Sequence, residues 1–211
     1  MEEKGLFITV EGPDGAGKST QIEYIKKYFM EKNLDVVYTR EPGGTVISEK
    51  IRNIILDKEH VEMDPMTEAM LYAASRAQLV AQVIKPALKA GKIVICDRFV
   101  DSSIAYQGFG RGLGDSIEKI NHFAVDGCMP NLTLLLLVDS QRGIDRVKNL
   151  GCENMDRMEK EKMDFHRKVY LGYKHLSYQF PQRIATIDAS QSIEKVSKDI
   201  GIELDRILKD R

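Results

Sequence analysis

The sequence predicts an α/β fold built on a five-stranded parallel sheet with helices on both faces. Short apolar stretches of strand length alternate with longer segments of helical period, which is the pattern of a parallel sheet. A glycine-rich loop from Gly12 to Ser19 separates the first strand from the first helix. Two later strands end in aspartates, Asp97 and Asp139, and open parallel sheets bind ligands at that edge.

Composition and charge limit the classes of protein to which this chain can belong. A chain of 211 residues forms one large domain, or a domain with a small insertion. Its net charge of −1 gives no reason to expect nucleic acid or a lipid surface as the main partner. The three cysteines have no C-x-x-C spacing and favour a reduced cytoplasmic setting. We expect no signal peptide and no membrane span, because the longest apolar run, Leu132 to Val138, is too short.

The first strand and the first helix flank the glycine loop. Leu6 to Val10 is a short apolar run typical of a buried strand. Ser19 to Lys32 carries apolar side chains near helical spacing, among them Ile25 and Phe29, and predicts a helix. The other strands are predicted at Val36–Thr39, Ile93–Cys96, Leu132–Val138 and Arg183–Ile187.

End signals and periodicity predict the remaining helices. Asp64 and Pro65 are typical of a helix start, and the helix that follows keeps its apolar period until Gly91. Asp139 is well explained as the N-cap of the next helix after its strand. Helical segments are predicted over 48–56, 102–107, 115–126, 140–150, 157–179 and from 192 onward, with an irregular stretch at 151–156.

The glycine loop fits the phosphate-binding pattern G-x-x-x-x-G-K-[ST]. Its glycines allow backbone dihedrals that a β-carbon forbids, so that successive N–H groups and the positive helix end face the phosphates. Lys18 adds a cation for the β- and γ-phosphates, and Ser19 adds a hydroxyl for Mg²⁺. Motif and context together predict that the chain binds a nucleoside triphosphate.

A second carboxylate at the end of a buried strand is needed for Mg²⁺ in phosphoryl transfer. Asp97 and Asp139 are the two candidates, and Asp139 already has a role as an N-cap. Asp97 is followed by Arg98, which would place a metal-binding carboxylate beside a phosphate-binding guanidinium. We therefore favour Asp97, although a purely structural pair with Arg98 is the alternative.

Arginines near the sheet edge would neutralise the charge of the transferred phosphoryl group. Arg40 and Arg98 each end a strand, and Arg111 lies in a glycine-rich loop. Arg146 and Arg157 flank the irregular stretch, which is a candidate lid that closes over the triphosphate and excludes water.

An acceptor site is suggested by Tyr72 and Arg76, which lie four residues apart on one helix face. An aromatic ring and a guanidinium in that arrangement can stack on a base and bind its edge. A half-buried core tyrosine beside a surface arginine explains the spacing equally well. A GTPase is disfavoured, because the sequence has no N-K-x-D guanine-reading tetrapeptide.

Four motifs make the chain resemble the thymidylate kinase family of bacteria from about Gly5 to the C-terminus. They are Glu11-Gly-Pro-Asp-Gly-Ala-Gly-Lys-Ser-Thr20, Thr39-Arg-Glu-Pro-Gly-Gly-Thr45, Asp97-Arg-Phe99 with Ser102 to Gly108, and Asp156-Arg-Met-Glu159. The resemblance implies a three-layer P-loop nucleotide kinase fold, a single domain over residues 1–211, and a small lid at about 146–158. It also implies transfer of the γ-phosphoryl of ATP to dTMP in dTTP biosynthesis, with Mg²⁺, by a homodimer.

The resemblance also implies roles for individual residues. Those that bind the ATP phosphates would be Gly12, Pro13, Asp14, Gly15, Ala16, Gly17, Lys18, Ser19 and Thr20. Those that bind dTMP would be Arg40 and Arg98 at the phosphate, and Tyr72, Arg76, Ser103 and Gln107 at the base. Tyr106 would crowd a ribose 2′-hydroxyl, Asp14 would lie near the 3′-hydroxyl, and Asp97 would lie near Mg²⁺.

The lid departs from the family pattern R-x-R-x-R-G. Here Lys148 and Leu150 replace two of the arginines, and the phosphate loop has no arginine of its own. The transition-state cation is therefore Arg146, Lys148 or Arg157, and lysine does not reproduce a bidentate arginine clamp. Two alternatives stay open: a kinase for another pyrimidine monophosphate, and an ATP-binding protein that has lost transfer.

Overall fold

The computed structural model describes residues 5–149 and 155–209, and its described part confirms the predicted parallel sheet. The strands are β1 (Leu6–Glu11), β2 (Val36–Arg40), β3 (Ile93–Asp97), β4 (Leu132–Leu137) and β5 (Ile184–Asp188). They pair in parallel in the order β2-β3-β1-β4-β5. This order places β1, and the glycine loop that follows it, at the centre of the sheet.

Helices connect the strands and cover both faces. They are α1 (Lys18–Glu31), α2 (Val46–Leu56), α3 (Pro65–Leu79), α4 (Lys85–Lys89), α5 (Val100–Ser103), α6 (Ser116–Val125), α7 (Ser140–Lys148), α8 (Met163–Gln179) and α9 (Ile193–Lys209). Two π-helical segments, Val80–Ile84 and Ile104–Gly110, follow α3 and α5. No helix in the described ranges is long and apolar enough to cross a membrane.

The central strand sends alternate side chains to opposite faces of the sheet, as a strand must. Ile8 and Val10 pack with the buried residues of α1 and α9 on one face. Phe7 packs on the other face, edge to face with Phe99 and in the same cluster as Leu79. A third cluster joins α8 to β4. The result is a three-layer α/β/α structure.

Two predicted helix caps are confirmed. The Asp64 carboxylate accepts hydrogen bonds from the N–H groups of Met66 and Thr67, with Pro65 at the first helical position. The Asp139 carboxylate accepts from the N–H of Gln141 at 2.9 Å. Asp139 thus has the capping role that the sequence predicted.

Three helix predictions need correction. The helix expected over 157–179 begins only at Met163, because the Asp156 carboxylate accepts from the N–H groups of Met158 and Glu159 and forms a separate turn. The long helix expected to end at Gly91 is widened at Val80–Ile84, just before Pro86, which lacks an N–H and crowds the preceding turn. The helix expected over 102–107 is divided between the end of α5 (Val100–Ser103) and the start of the π-helical segment Ile104–Gly110.

The packing of α8 against this π-helical segment requires a glycine. A β-carbon at Gly172 would lie 2.9 Å from the Cα of Ala105 and 3.0 Å from the Phe109 ring. We expect Gly172→Ala to destabilise the protein in urea unfolding, because overpacking costs ~1–3 kcal/mol against ~1 kcal/mol gained in helix propensity.

Gly201→Ala is the matched control in α9, since its β-carbon would meet only the movable hydroxyl end of Tyr24. This variant should be neutral or stabilising. Equal destabilisation by both substitutions would contradict the close-packing argument.

Candidate functional site

A cleft of about 760 Å³ opens at the carboxyl edge of the sheet. Its wall includes the phosphate loop, the end of β3, Tyr72 of α3, the end of α7 and the loop after β5. The size is within the range of small-molecule sites, and the position is the one expected for an open parallel sheet.

The glycine loop forms one end of the cleft. Asp14 to Thr20 line the cavity, whereas Gly12 and Pro13 present their carbonyl oxygens to the Lys18 ammonium, each at 2.9 Å. Burial, followed by the nearby Arg98, lowers the pKa of Lys18 to about 8. A bound anion would restore the pKa of this buried cation, so the loop is suited to phosphate.

Two glycines of the loop have conformations or surroundings that exclude a side chain. Gly12 has φ +142°, and a β-carbon there would overlap the carbonyl of Leu136. Gly15 has φ +73°, and its β-carbon would overlap the carbonyl of Gly143 in α7. The loop is thus packed directly against two backbone segments.

Arg98 joins the phosphate loop to the far side of the cleft. Its Nη2 lies 2.5 Å from Asp14 Oδ1 and donates to the Tyr106 hydroxyl at 3.2 Å. Its Nη1 donates to the Gly12 carbonyl at 2.9 Å. Burial opposes ionisation of Asp14, yet Arg98, Lys18 and Tyr106 hold its pKa below the usual value. Asp14 therefore stays ionised and holds Arg98 at the centre of the cleft.

The Arg98 backbone has φ +65°, a left-handed conformation that is rare for a non-glycine residue. The structure shows what maintains it. The N–H of Arg98 donates to Val10, and the next N–H, that of Phe99, donates to the Glu11 carboxylate at 2.7 Å. Such backbone strain persists only where the surroundings impose it, and it concentrates at functional sites.

The buried Glu11 carboxylate also organises the hydroxyl groups that Arg98 contacts. It accepts from the Ser102 hydroxyl at 2.6 Å and from the Tyr173 hydroxyl at 3.0 Å, and Arg98 Nη1 reaches both hydroxyl oxygens. Burial, and then the charge of Asp101, raises the pKa of Glu11 to about 7. The sequence argument used Glu11 only as part of a motif, although it ends an apolar strand as Asp97 and Asp139 do.

The residues present suit a divalent cation. Asp97 Oδ1 is buried and has no hydrogen-bond partner in the described ranges, which leaves one carboxylate oxygen free. Ser19, at the start of α1, lines the same cleft. A carboxylate and a hydroxyl next to a phosphate site match the ligands that Mg²⁺ takes in such proteins.

Most of the predicted acceptor residues meet at the other end of the cleft. Tyr72, Ser103, Tyr106 and Gln107 all line it, the first from α3 and the others from α5 and the π-helical segment. Ser103, Tyr106 and Gln107 reach the cleft from within five consecutive residues at the junction of α5 and the π-helical segment. Tyr106 donates to Asp14 at 2.8 Å, so this wall is also tied to the phosphate loop.

Arg76 does not form part of the cleft wall and is only 1 % exposed. Its Nε and Nη2 contact Glu41, its Nη1 contacts Ser103 and Asn121, and Nη2 also donates to the Phe99 carbonyl. Four of its five N–H groups thus donate to protein, and Nη2 also lies in an ion pair with Glu41. Direct reading of a base edge, as the family resemblance implied, would require one of these donors to be released.

Arg40, expected at the acceptor phosphate, is paired elsewhere. Both of its terminal nitrogens donate to the Glu49 carboxylate, at 3.1 and 3.0 Å, and it is not on the cleft wall. Arg52, which was not predicted as a site residue, does line the cleft and donates to the Pro42 carbonyl at 3.0 Å. A signal exists, since Ser48, Arg52 and Ile55 share one face of α2 and the other two are buried.

The lid candidates divide into two groups. Arg146 lines the cleft and donates to the carbonyls of Gly15 and Ala189. Arg157 is not on the wall, because it donates to Glu68 at 2.6 Å and to the Ile55 carbonyl at 2.9 Å. Lys148 ends α7, and Leu150 to Cys152 and the rest of the lid up to 154 lie outside the described residues.

Comparison of the chain with known proteins finds similar thymidylate kinases. The family model described as thymidylate kinase matches residues 10–200. The thymidylate kinase of Clostridium novyi is 50 % identical over 198 residues, covering 93 % of this chain and 97 % of that protein. That of Oceanobacillus iheyensis is 50 % identical over 92 % of this chain and 87 % of its own length. The crystal structure of thymidylate kinase from Ehrlichia chaffeensis, 33 % identical, aligns with a TM-score of 0.75 over 98 % of this chain and 99 % of that one.

The depressed pKa of Lys18 makes triphosphate binding sensitive to pH. A bound phosphate raises this pKa above its free value of about 8, so binding takes up a proton at higher pH. We expect the affinity for ATP to fall between pH 8 and 9.5, by up to about tenfold per unit, as titration calorimetry can measure. Lys18→Arg, whose cation does not titrate in this range, should remove the slope. A wild-type affinity independent of pH would show that Lys18 does not contribute as a cation.

Proposed function

The chain belongs to the thymidylate kinase family and is a dTMP kinase, and we propose that the cleft carries out transfer of the γ-phosphoryl of ATP to dTMP. The observation that carries the assignment of the site is the Asp14–Arg98 pair, which joins the phosphate loop to the acceptor wall. The products are ADP and dTDP, so the reaction belongs to nucleotide biosynthesis.

ATP binds at the loop end of the cleft in this proposal. The backbone N–H groups of the loop residues other than Pro13, together with the start of α1, face its phosphates, and Lys18 neutralises the charge of the β- and γ-phosphates. Arg146, Ala189 and Ile193 line the neighbouring wall, where a guanidinium and apolar surface suit the faces of an adenine ring.

The monophosphate dTMP binds between α3 and the π-helical segment. Tyr72 stacks on the base, Ser103 and Gln107 bind its edge, and Tyr106 faces the sugar. Arg98 and Arg52 bind the acceptor phosphate, so that Arg52 takes the role first assigned to Arg40. Arg76 supports this wall by holding Ser103.

Mg²⁺ would be held by Asp97 and Ser19, and it would supply positive charge that neutralises the charge developing on the phosphates. Phosphoryl transfer needs positioning and charge neutralisation more than covalent chemistry. Lys18 and Arg98 supply two fixed cations on either side of the transferred group. Asp14 keeps Arg98 in place and accepts from Tyr106.

We propose that residues 1–211 form one domain with a lid at about 146–158, and that Arg146 is its cation nearest the phosphates. The second lid candidate, Arg157, instead anchors the lid's end to α3 through Glu68. Transfer with undiminished kcat by Arg146→Gln would exclude Arg146 as a transition-state cation.

A homodimer is supported by exposed apolar side chains on three adjacent helices. Ile47 and Ile54 of α2, Met70 of α3 and Phe123 of α6 are all exposed, and Phe123 is 82 % exposed. Helices α2 and α6 both pack against α3, so these side chains occupy neighbouring elements. Apolar patches of this kind mark association surfaces. A monomeric mass in sedimentation at micromolar concentration would disprove the dimer.

Matched arginine variants test the assignment of the acceptor site. With saturating ATP and a panel of nucleoside monophosphates, dTMP should be the preferred acceptor. Arg52→Met should raise the KM for dTMP at least about tenfold, as expected for a lost charge-assisted hydrogen bond, with little change in the KM for ATP.

Arg40→Met is the control, because its partner is the exposed Glu49 and such pairs contribute little. It should leave both KM values near those of wild type. If Arg40→Met impairs dTMP binding as strongly as Arg52→Met, the site assigned here is wrong.

A further inference from the structure

Glu68 is a buried carboxylate whose role in the proposed mechanism is limited to holding Arg157. It lies on α3, one turn before Tyr72, and its side chain is fully buried. It accepts from Gln107 Nε2 at 2.9 Å, from Arg111 at 3.2 and 2.9 Å, and from Arg157 at 2.6 Å. Two arginines and one amide therefore saturate the acceptors of a single carboxylate.

The ionised state of Glu68 determines which way the Gln107 amide is turned. Burial opposes ionisation, but the two arginines and the Gln107 amide hold the pKa of Glu68 below its usual value. An ionised carboxylate only accepts hydrogen bonds, so the NH₂ group of Gln107 must face it. The carbonyl oxygen of the same amide then points the other way, and it accepts no hydrogen bond within residues 5–149 and 155–209.

That carbonyl oxygen is available to the acceptor base. Gln107 lines the cleft together with Ser103 and with Tyr72 of α3. A fixed acceptor is complementary to the ring N–H of an imide base such as thymine or uracil. Cytosine presents a lone pair at the same ring position and would be repelled. A site built to make one hydrogen bond rejects a base that leaves its buried group unpaired.

We propose that Glu68 is a positioning residue for base specificity, which turns the Gln107 amide so that its carbonyl selects an imide base over cytosine. The inference rests on the proposed placement of dTMP on this wall. Glu68 also holds Arg157 of the lid and Arg111, which in turn pairs with Glu161 at 2.5 Å. Glu68 thereby holds both the Gln107 amide, which binds the base, and Arg157, which anchors the end of the lid.

The test compares dTMP with dCMP as acceptors at saturating ATP. Glu68→Gln allows the Gln107 amide to turn, so the ratio of kcat/KM for dTMP to that for dCMP should fall about tenfold. Gln107→Leu should lower the same ratio. In the double variant the Glu68 substitution should produce no further change, because its effect passes through Gln107.

Glu161→Gln is the matched control, since Glu161 contacts Arg111 but not Gln107. It should leave the dTMP-to-dCMP ratio unchanged. If Glu68→Gln does not fold, Glu68→Asp keeps the negative charge but shortens the side chain by one methylene, which weakens the contact with Gln107, and it should shift the ratio in the same direction.

A loss of kcat/KM that is equal for both acceptors, or a ratio change that persists in the Gln107→Leu background, would overturn the inference and leave Glu68 with a structural role only. A wild-type enzyme that does not accept dTMP would instead overturn the proposed placement of dTMP. The two failures are thus distinguishable.

Discussion

The ion pair between Asp14 and Arg98 is the interaction on which the rest of the site depends. Asp14 belongs to the phosphate loop, and Arg98 follows β3, the neighbouring strand of the sheet. Their contact at 2.5 Å brings a donor-binding and an acceptor-binding element to one point between the two ends of the cleft. Phosphoryl transfer requires this proximity, because two anionic substrates must approach each other closely before the phosphoryl group is transferred.

The Asp14–Arg98 pair depends on buried polar groups that hold Arg98 in its conformation. Arg98 needs a left-handed backbone, and Glu11 stabilises it by accepting from the next N–H. Glu11 in turn holds Ser102 and Tyr173 as acceptors for the guanidinium. Removing one member of such a network leaves the others buried and unpaired, which is why buried polar networks tolerate little change.

Buried carboxylates separate the arginines of this protein into two kinds. Glu41 and Glu68 engage Arg76, Arg111 and Arg157, and none of these three guanidinium groups is on the cleft wall. Arg52, Arg98 and Arg146 are on the wall. The first kind orients neighbouring elements, and the second kind faces the phosphates. Charge at a strand end or in a motif does not reveal which kind an arginine is.

The difference between these two kinds of arginine explains which features of the site could be predicted from the sequence. The strands, the caps at Asp64 and Asp139 and the phosphate loop depend on local chemistry, and they could be predicted. Arg40 could not be placed from its position at the end of β2, because that strand is at the edge of the sheet and Glu49, nine residues on, pairs with it. The burial of Arg76 depends on Glu41 and Asn121, which no spacing connects to it. No local sequence pattern predicted the π-helical segment in which Gln107 lies.

A double-mutant cycle on kcat tests most directly whether Asp14 and Arg98 act as one unit. Asp14→Asn and Arg98→Gln should each lower kcat by about 10²-fold or more, as does loss of a preorganised charge contact at a transferring group. Because each residue acts through the other, the double variant should be no slower than the slower single variant. Losses that multiply in the double variant would show that the two residues contribute independently, and would contradict a joint role in linking the donor and acceptor sites.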